Sequence, residues 1–334
     1  MELSLSRYSG KRVCVACSGG RDSMALLHYL YNHAEQYGII LSALNCDHGM
    51  RGQESERDSA FVKDYCLKLG IPLLFFRAGK DLLNESDARA WRVFRCYALA
   101  HKNSGEWGDD FNYSVLRFKP EIISSDGKWA GCDCVATAHH MDDNAETVLF
   151  NLARGSGLSG MCGIRDDMNG AEWATVHPFV SVSRREIDEY VAQNNIPYVD
   201  DSTNFSEGYT RNYIRRNVLP ALEKAVPGAT RSIYRFSRLA AEDEEYFSRK
   251  VKELITKRYP YGHTIALCEE PVIFKRAAIS VVERHGRKDY TSEHALALFN
   301  LQHAEVGKKF EFLGLVAVKE EGGVTIVDEE QYGY

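Results

Sequence analysis

An α/β fold with a parallel sheet at its amino-terminal end, followed by a smaller α+β unit, is predicted by three observations. Apolar, β-branched runs alternate with helix-length segments whose apolar residues recur every three or four positions. The polar, glycine-bearing loops come directly after the strands. Beyond about Pro271 the pattern changes to two helical stretches and short alternating runs.

The first strand is Val13-Cys14-Val15-Ala16-Cys17, which carries no charge, as a strand buried on both faces requires. Ser18-Gly19-Gly20-Arg21-Asp22-Ser23 follows, and Met24, Leu27, Leu30 and Tyr31 then recur at helical spacing. Strands are expected at 39–45, 72–77 and 134–138, with helices at 54–69 and 86–101, the latter capped by Ser86. The segment 103–131 interrupts the alternation and reads as a hairpin excursion with a turn at Asp126-Gly127. A helix opens at Ser183, and Pro220 and Pro227-Gly228 mark the end of the first domain. The division is therefore 1–220 and 221–334, the second part beginning with a charged helix at 230–259. Helices at 271–285 and 292–303 and strands at 310–313 and 324–327 complete it.

At 334 residues the chain suits two domains, and 44% apolar composition supports a full core. No run is long and apolar enough to span a bilayer and the amino terminus lacks a leader pattern, so a cytoplasmic protein without membrane contact is expected. Nine scattered cysteines agree with a reducing compartment. Cys14 and Cys17 form a C-x-x-C, but on a strand this spacing sends them to opposite faces. The net charge of −6 argues against coating nucleic acid through bulk electrostatics and leaves local patches as the means of binding it.

Two stretches carry chemistry. Gly19 and Gly20 open a helix and let an anion approach the amides of its first turn, so the ligand expected at residues 18–23 is a phosphate. Neither the Lys of a Walker loop nor the third Gly of a dinucleotide fingerprint is present. The second stretch is Ala138-His139-His140-Met141-Asp142-Asp143-Asn144-Ala145-Glu146-Thr147. On a helix, Asp142, Asp143 and Glu146 project from one side, and carboxylates beside a phosphate loop suit Mg²⁺. A capping box with Asp143 as cap and Glu146 reaching back is the structural alternative. In an open parallel sheet both loops lie beyond the carboxyl ends of the strands and converge on one edge.

Ser-Gly-Gly-x-Asp-Ser after a buried strand resembles the loop of the PP-loop, or N-type, ATP pyrophosphatases, which bind adenine nucleotide on a Rossmann-like domain. Together with Asp47-His48-Gly49-Met50-Arg51, the 138–147 stretch, Arg154-Gly155-Ser156-Gly157-Leu158 and Arg211-Asn212-Tyr213-Ile214-Arg215, the order is similar to that in the bacterial tRNA(Ile)-lysidine synthetase family. The likeness extends over about residues 10–220 and more weakly beyond.

Membership would imply an ATP- and Mg²⁺-dependent ligase that adenylates C2 of the wobble cytidine of CAU-anticodon isoleucine tRNA. L-lysine then displaces AMP, giving lysidine. Carried over by position, Ser18, Gly19, Gly20, Arg21, Asp22 and Ser23 would bind ATP, Asp22 and Asp142 the metal, and His139, Asp143 and Glu146 would line the reaction centre. Arg89, Arg211 and Arg215 would hold tRNA or substrate, and the carboxyl-terminal unit would recognise tRNA. Either a carboxylate or His139 would deprotonate lysine. A pairing of Arg211 or Arg215 with Asp200 or Asp201 is the structural alternative. At the level of function the alternatives are another PP-loop tRNA-modifying enzyme, of the cytidine 2-thiolation type, and a non-catalytic nucleotide- or tRNA-binding protein. Departures from the family include Val93, where a Tyr is usual after the Arg89 and Arg92 pattern, Asn45, where a His is frequent, and the length of the 103–131 excursion.

Overall fold

The computed structural model describes residues 1, 3–48, 53–78, 87, 91–92, 96–102, 120–165, 174–199, 209–258 and 262–332. Two compact units are present, Met1–Arg238 and Leu239–Tyr334.

The first unit is built on a six-stranded sheet of order β4-β3-β2-β1-β5-β6. Strands β1 (Arg12–Ala16), β2 (Ile40–Asp47) and β3 (Leu73–Arg77) are joined by helices α1 (Arg21–Tyr37) and α2 (Gln53–Leu69). These strands pair in parallel, and β1 also pairs in parallel with β5 (Cys134–Ala136). Beyond β5 lies β6 (Thr175–Val176), again parallel. The edge strand β4 (Glu121–Ile123) runs antiparallel to β3, so the return arm of the 103–131 excursion extends the sheet. Its Asp126-Gly127 turn is present, with Gly127 at φ +67°. Residues 103–119 of the excursion, the Ser86 cap and the middle of the 86–101 segment lie outside the described residues; that segment ends as α3 (Tyr97–His101).

Each face of the sheet buries its own apolar layer. Val13, Val15, Met24, Leu27, Val62 and Phe179 lie on one side, and Cys14, Leu44, Phe76, Trp91 and Trp129 on the other. Alternation along β1 accounts for this, and it separates Cys14 from Cys17, which belongs to the first layer. All nine cysteines are unbridged.

After β5 come α4 (Met141–Ala153), the short α5 (Leu158–Met161), α6 (Arg184–Gln193) and α7 (Tyr209–Tyr213). A π-helical turn, Ile214–Val218, leads into α8 (Leu219–Ala225). Ser183 caps α6 by accepting from the Glu186 amide, as its sequence foretells.

The units divide inside the long helix α9 (Ala229–Leu254), at Arg238 and Leu239, and not at Pro220. The start of α9 is tied to the first unit. Asn144 donates to Ser237 Oγ at 3.0 Å, and Arg238 donates to the carbonyls of Cys162 and Ile164 at 2.9 and 2.8 Å. The helix also stops short of 259: Ile255–Arg258 forms β7, where β-branched Ile255 and Thr256 favour pairing with β8 (Gly262–Ala266).

The second unit is a five-stranded antiparallel sheet of order β7-β8-β11-β10-β9. Strands β9 (Lys309–Phe312), β10 (Leu315–Glu320) and β11 (Gly323–Asp328) follow helices α10 (Pro271–Arg284) and α11 (Ser292–Leu301). Phe274, Val281 and Leu298 of the helices bury against Ile265, Leu315 and Ile326 of the sheet. Among the described residues no helix is long and apolar enough to cross a membrane.

Candidate functional site

The loop between β1 and α1 is held open by its own hydrogen bonds. Ser23 Oγ donates to the Gly20 carbonyl at 2.9 Å and accepts from the Ser18 amide at 3.2 Å, while Ser18 Oγ accepts from the Gly20 amide at 3.3 Å. Gly20 caps α1 without a side-chain bond, and the first-turn amides of a helix have no partners within it. Gly19 sits at φ +89°, and a Cβ there would stand 3.0 Å from Val199 Cγ2 and 3.3 Å from Val62 Cγ2. Both the backbone angle and the space explain why glycine occupies this position. Beside the loop, Arg21, Asp188, Asn195 and Tyr198 line a cleft of about 380 Å³. Arg21 is pinned there, its Nη1 lying 2.8 Å from Asp188 Oδ1.

The acid helix α4 begins one strand away. His140 is its cap residue, and Asp143 reaches back to accept from the His140 amide at 3.0 Å. The expected capping partners are thus displaced by one turn. Asp143 is the acid that reaches back, and Glu146 is released for another bond. Glu146, with only 6% of its side chain exposed, accepts from Arg215 Nε at 2.7 Å and Nη2 at 3.0 Å. Arg215 Nη2 also donates to Asp143 Oδ1 at 3.0 Å.

Arg211 and Arg215 do share one face, but that face lies along α4. Arg211 stacks over Phe150, with its guanidinium 5.3 Å from the ring centroid, while Arg215 holds the two acids. Asp200, Asp201 and Arg89 lie outside the described residues, as does the 49–52 part of the loop after β2.

The loop and the acid helix meet at His140. Its ring lies 3.8 Å from Asp22 Oδ2, 3.6 Å from Asp142 Oδ2 and 3.4 Å from Asp143 Oδ2, with 2% of the side chain exposed. Burial works against the proton, but the surrounding Asp142, Asp143 and Asp22 carboxylates outweigh it and push His140 up to about 9. Burial also raises Asp22, against the pull of His140 and Arg21, and raises Glu146, against the pull of Arg215. Arg184 completes the cluster: its amide donates to Asp142 Oδ2 at 2.9 Å, and its Nη1 lies 3.9 Å from Asp22. Four acids and three cations from four segments thus form one compensated polar centre at the carboxyl edge of the sheet.

His139 is not part of that contact set. Its Nδ1 lies 2.7 Å from Thr137 Oγ1 and 3.2 Å from His177 Nδ1. Sequence reasoning chose His139 and passed over His140, His177 and Arg184. The run His139-His140-Met141-Asp142-Asp143 held a signal for His140, whereas His177 and Arg184 arrive from distant positions with none.

The donor set was tested against Mg²⁺. Asp22 Oδ1 is buried and lacks a hydrogen-bond partner, and hard carboxylate oxygens suit this ion. Among the described residues no three acidic or thiol or imidazole groups are placed to form a cage. The residues therefore fit a cation held by one or two carboxylates and completed by substrate phosphates, which is how Mg²⁺ commonly binds.

A loop of this form at the carboxyl edge of a parallel sheet, facing a helix of acids, defines a PP-loop nucleotide-binding domain, and a family profile described as "PP-loop domain" matches residues 2–106 and 116–222. Among curated proteins, the tRNA(Ile)-lysidine synthase of Chlorobaculum tepidum is 34% identical over 74% of this chain and 68% of its own. Those of Solibacter usitatus and Bacteroides thetaiotaomicron are each 32% identical, over 84% and 90% of this chain and 56% and 63% of theirs. The chain belongs to the PP-loop family and, within it, to the tRNA(Ile)-lysidine synthases. It spans between 44% and 68% of the length of the curated relatives it matches. A solved U34-tRNA thiolase from Methanococcus maripaludis shares the fold, with a TM-score of 0.51 and 18% identity over 70% of this chain and 73% of that one.

Proposed function

We propose that this chain ligates L-lysine to C2 of the wobble cytidine of CAU-anticodon isoleucine tRNA, using ATP and releasing AMP and pyrophosphate. The meeting of the phosphate loop with the acid helix, through His140 and Asp22 at 3.8 Å, is the observation that carries this reading. A helix start whose first-turn amides suit an anion, lying beside carboxylates and guanidiniums, supports adenylyl-transfer chemistry. The relatives' name, tRNA(Ile)-lysidine synthase, supports a tRNA as the substrate.

The C2 oxygen of cytidine is a poor leaving group until it is adenylated. Ser18, Gly19, Gly20, Arg21, Asp22 and Ser23 bind the ATP phosphates, and the α1 amides stabilise charge on the departing pyrophosphate. Asp22 and Asp142 would hold Mg²⁺, which would supply Lewis-acid stabilisation of phosphate charge. Asp143 and Glu146 keep Arg215 oriented toward the centre, and His139 precedes the cap residue His140 in the chain. Lysine's ε-amine is protonated near neutral pH and must lose a proton to attack. Since Asp143 and Glu146 are already engaged by Arg215, His139 is the base in this reading.

Arg89, Arg211 and Arg215 contribute to holding tRNA or substrate, and the carboxyl-terminal unit recognises tRNA. The reaction takes place in the cytoplasm. The test is to incubate the protein with Mg²⁺-ATP, radiolabelled lysine and isoleucine tRNA transcript bearing CAU. Label on that tRNA and none on methionine tRNA is expected. Pyrophosphate release without label would point to another nucleophile, and no release would sink the enzymatic reading.

A further inference from the structure

Thr137, at the carboxyl end of β5, holds two imidazoles through a single hydroxyl. Its Oγ1 lies 2.7 Å from His139 Nδ1 and 2.6 Å from His177 Nδ1, and the two Nδ1 atoms are 3.2 Å apart. The rings meet edge to face, with centroids 5.0 Å apart and planes at 73°. The parallel register of β5 with β6, which pairs Ala136 with Val176, brings His177 to this place.

Counting protons narrows what such a triangle can be. Thr137 has one O–H to donate and two lone pairs, and each neutral imidazole has either a proton or a lone pair at Nδ1. Two bare Nδ1 atoms would leave one lone pair facing the oxygen unsatisfied. Two Nδ1–H groups would use both lone pairs of the hydroxyl, set two N–H dipoles side by side at 3.2 Å, and send the O–H to an acceptor outside the triangle. Opposite tautomers fill the contacts within it, with one ring donating to Oγ1 and the hydroxyl donating to the other.

We propose that Thr137 and His177 are positioning residues that hold His139 in its Nδ1–H tautomer and share the proton it accepts. Resting on the lysine-ligating function proposed above, the step is as follows. His139 Nε2 takes a proton from lysine's ε-ammonium, breaking that N–H bond and forming its own. His139 Nδ1–H passes to Thr137 Oγ1, whose original proton passes to His177 Nδ1. The charge ends on His177 as imidazolium, His139 is neutral again, and the hydroxyl is restored. The amine that remains carries the lone pair that attacks C2.

Two measurements test this. Long-range ¹⁵N–¹H spectra of the imidazoles, assigned with His139→Gln and His177→Gln, are expected to show His139 protonated at Nδ1 and His177 at Nε2. Thr137→Val should abolish that opposition and Thr137→Ser should restore it. The same tautomer in both rings, or His139 protonated at Nε2, would overturn the proposal. In single-turnover assays, His177→Gln and Thr137→Val should release pyrophosphate at close to the wild-type rate. Lysine transfer should slow about 10- to 100-fold at unchanged KM for lysine, with Thr137→Ser near wild type. Equal loss of both half-reactions, or unimpaired transfer in His177→Gln, would also overturn it. A wild-type chain that transfers no lysine would instead refute the function, while the spectra would still decide the tautomers.

Discussion

Arg215 closes on Glu146 as a two-pronged pair, Nε to Oε1 at 2.7 Å and Nη2 to Oε2 at 3.0 Å, and with the same Nη2 it reaches Asp143 at 3.0 Å. One guanidinium thereby fixes two acids one turn apart on α4. Arg215→Ala leaves a buried carboxylate without its counter-ion. Breaking a fully buried pair costs about 3–5 kcal/mol, and because Arg215 is 32% exposed we expect about 2–3 kcal/mol from urea unfolding. Arg215→Lys should recover less than half, since an ammonium cannot bind both oxygens in a fork.

Gly19 should tolerate no side chain. At φ +89°, with a Cβ pressed to 3.0 Å from Val199, Gly19→Ala carries about 1–2 kcal/mol of backbone strain. The loop is expected to shift to relieve it. ATP affinity, read by fluorescence titration, should fall at least about tenfold, while the melting temperature falls by only a few degrees.

The bond between α4 and the loop after α5 is equally specific. Asn144, fully buried, accepts from the Ile164 amide at 2.8 Å, and a Cβ on Gly163 would overlap its side-chain oxygen. Gly163→Ala should destabilise the first unit by about 2–4 kcal/mol through overpacking and the φ of +63°. Asn144→Ala should cost about 1–3 kcal/mol by stranding buried polar groups. If thermal unfolding of either variant matched wild type, the latch would have no energetic role.

Glu223 gives a pH-dependent contribution at the start of α9. Its carboxylate accepts from the Gly228 amide at 2.7 Å and the Thr230 amide at 3.0 Å, and these bonds hold its pKa below the usual glutamate value. A depressed folded-state pKa means stability that is fully present above the unfolded value and lost as pH falls through the folded one. Because Glu223 is exposed and screened by solvent, wild type should lose only roughly a few tenths of a kcal/mol on acidification below about pH 4.5, and Glu223→Gln should not show that loss. Stability curves between pH 3 and 7 would separate the two.

Retention of tRNA should weaken with salt. If the chain acts on tRNA as proposed, a net charge of −6 leaves local arginines and the second unit to bind it, so log affinity should fall linearly with log salt at a slope set by a few phosphate contacts. Filter binding between about 50 and 200 mM salt checks this, and a flat response would exclude phosphate contacts as the source of affinity.

The sequence by itself determined the sheet and the edge where the site lies. Short, uncharged, β-branched runs that lead into glycines, such as Val13 to Cys17, read as buried strands, and the glycines after β1 and acids after β5 then emerge at the same end, because parallel strands share direction. The two faces of Cys14 and Cys17 followed from alternation alone. Tertiary structure decided the partners. Local spacing left Glu146 a capping box as its structural alternative, but a guanidinium from a π-helical turn 69 residues away offers a charged, bidentate bond that capping cannot match. His140 and His139 are neighbours in the chain, yet His140, extended at the cap of α4, turns into the acids, while His139 meets Thr137 and His177. The long helix was legible, but the domain boundary within it was not, because it depends on Ser237 and Arg238 binding groups distant in sequence. Periodicity reports which face of an element is buried. Which charged group finally faces another is settled only when elements separated in sequence are packed against one another.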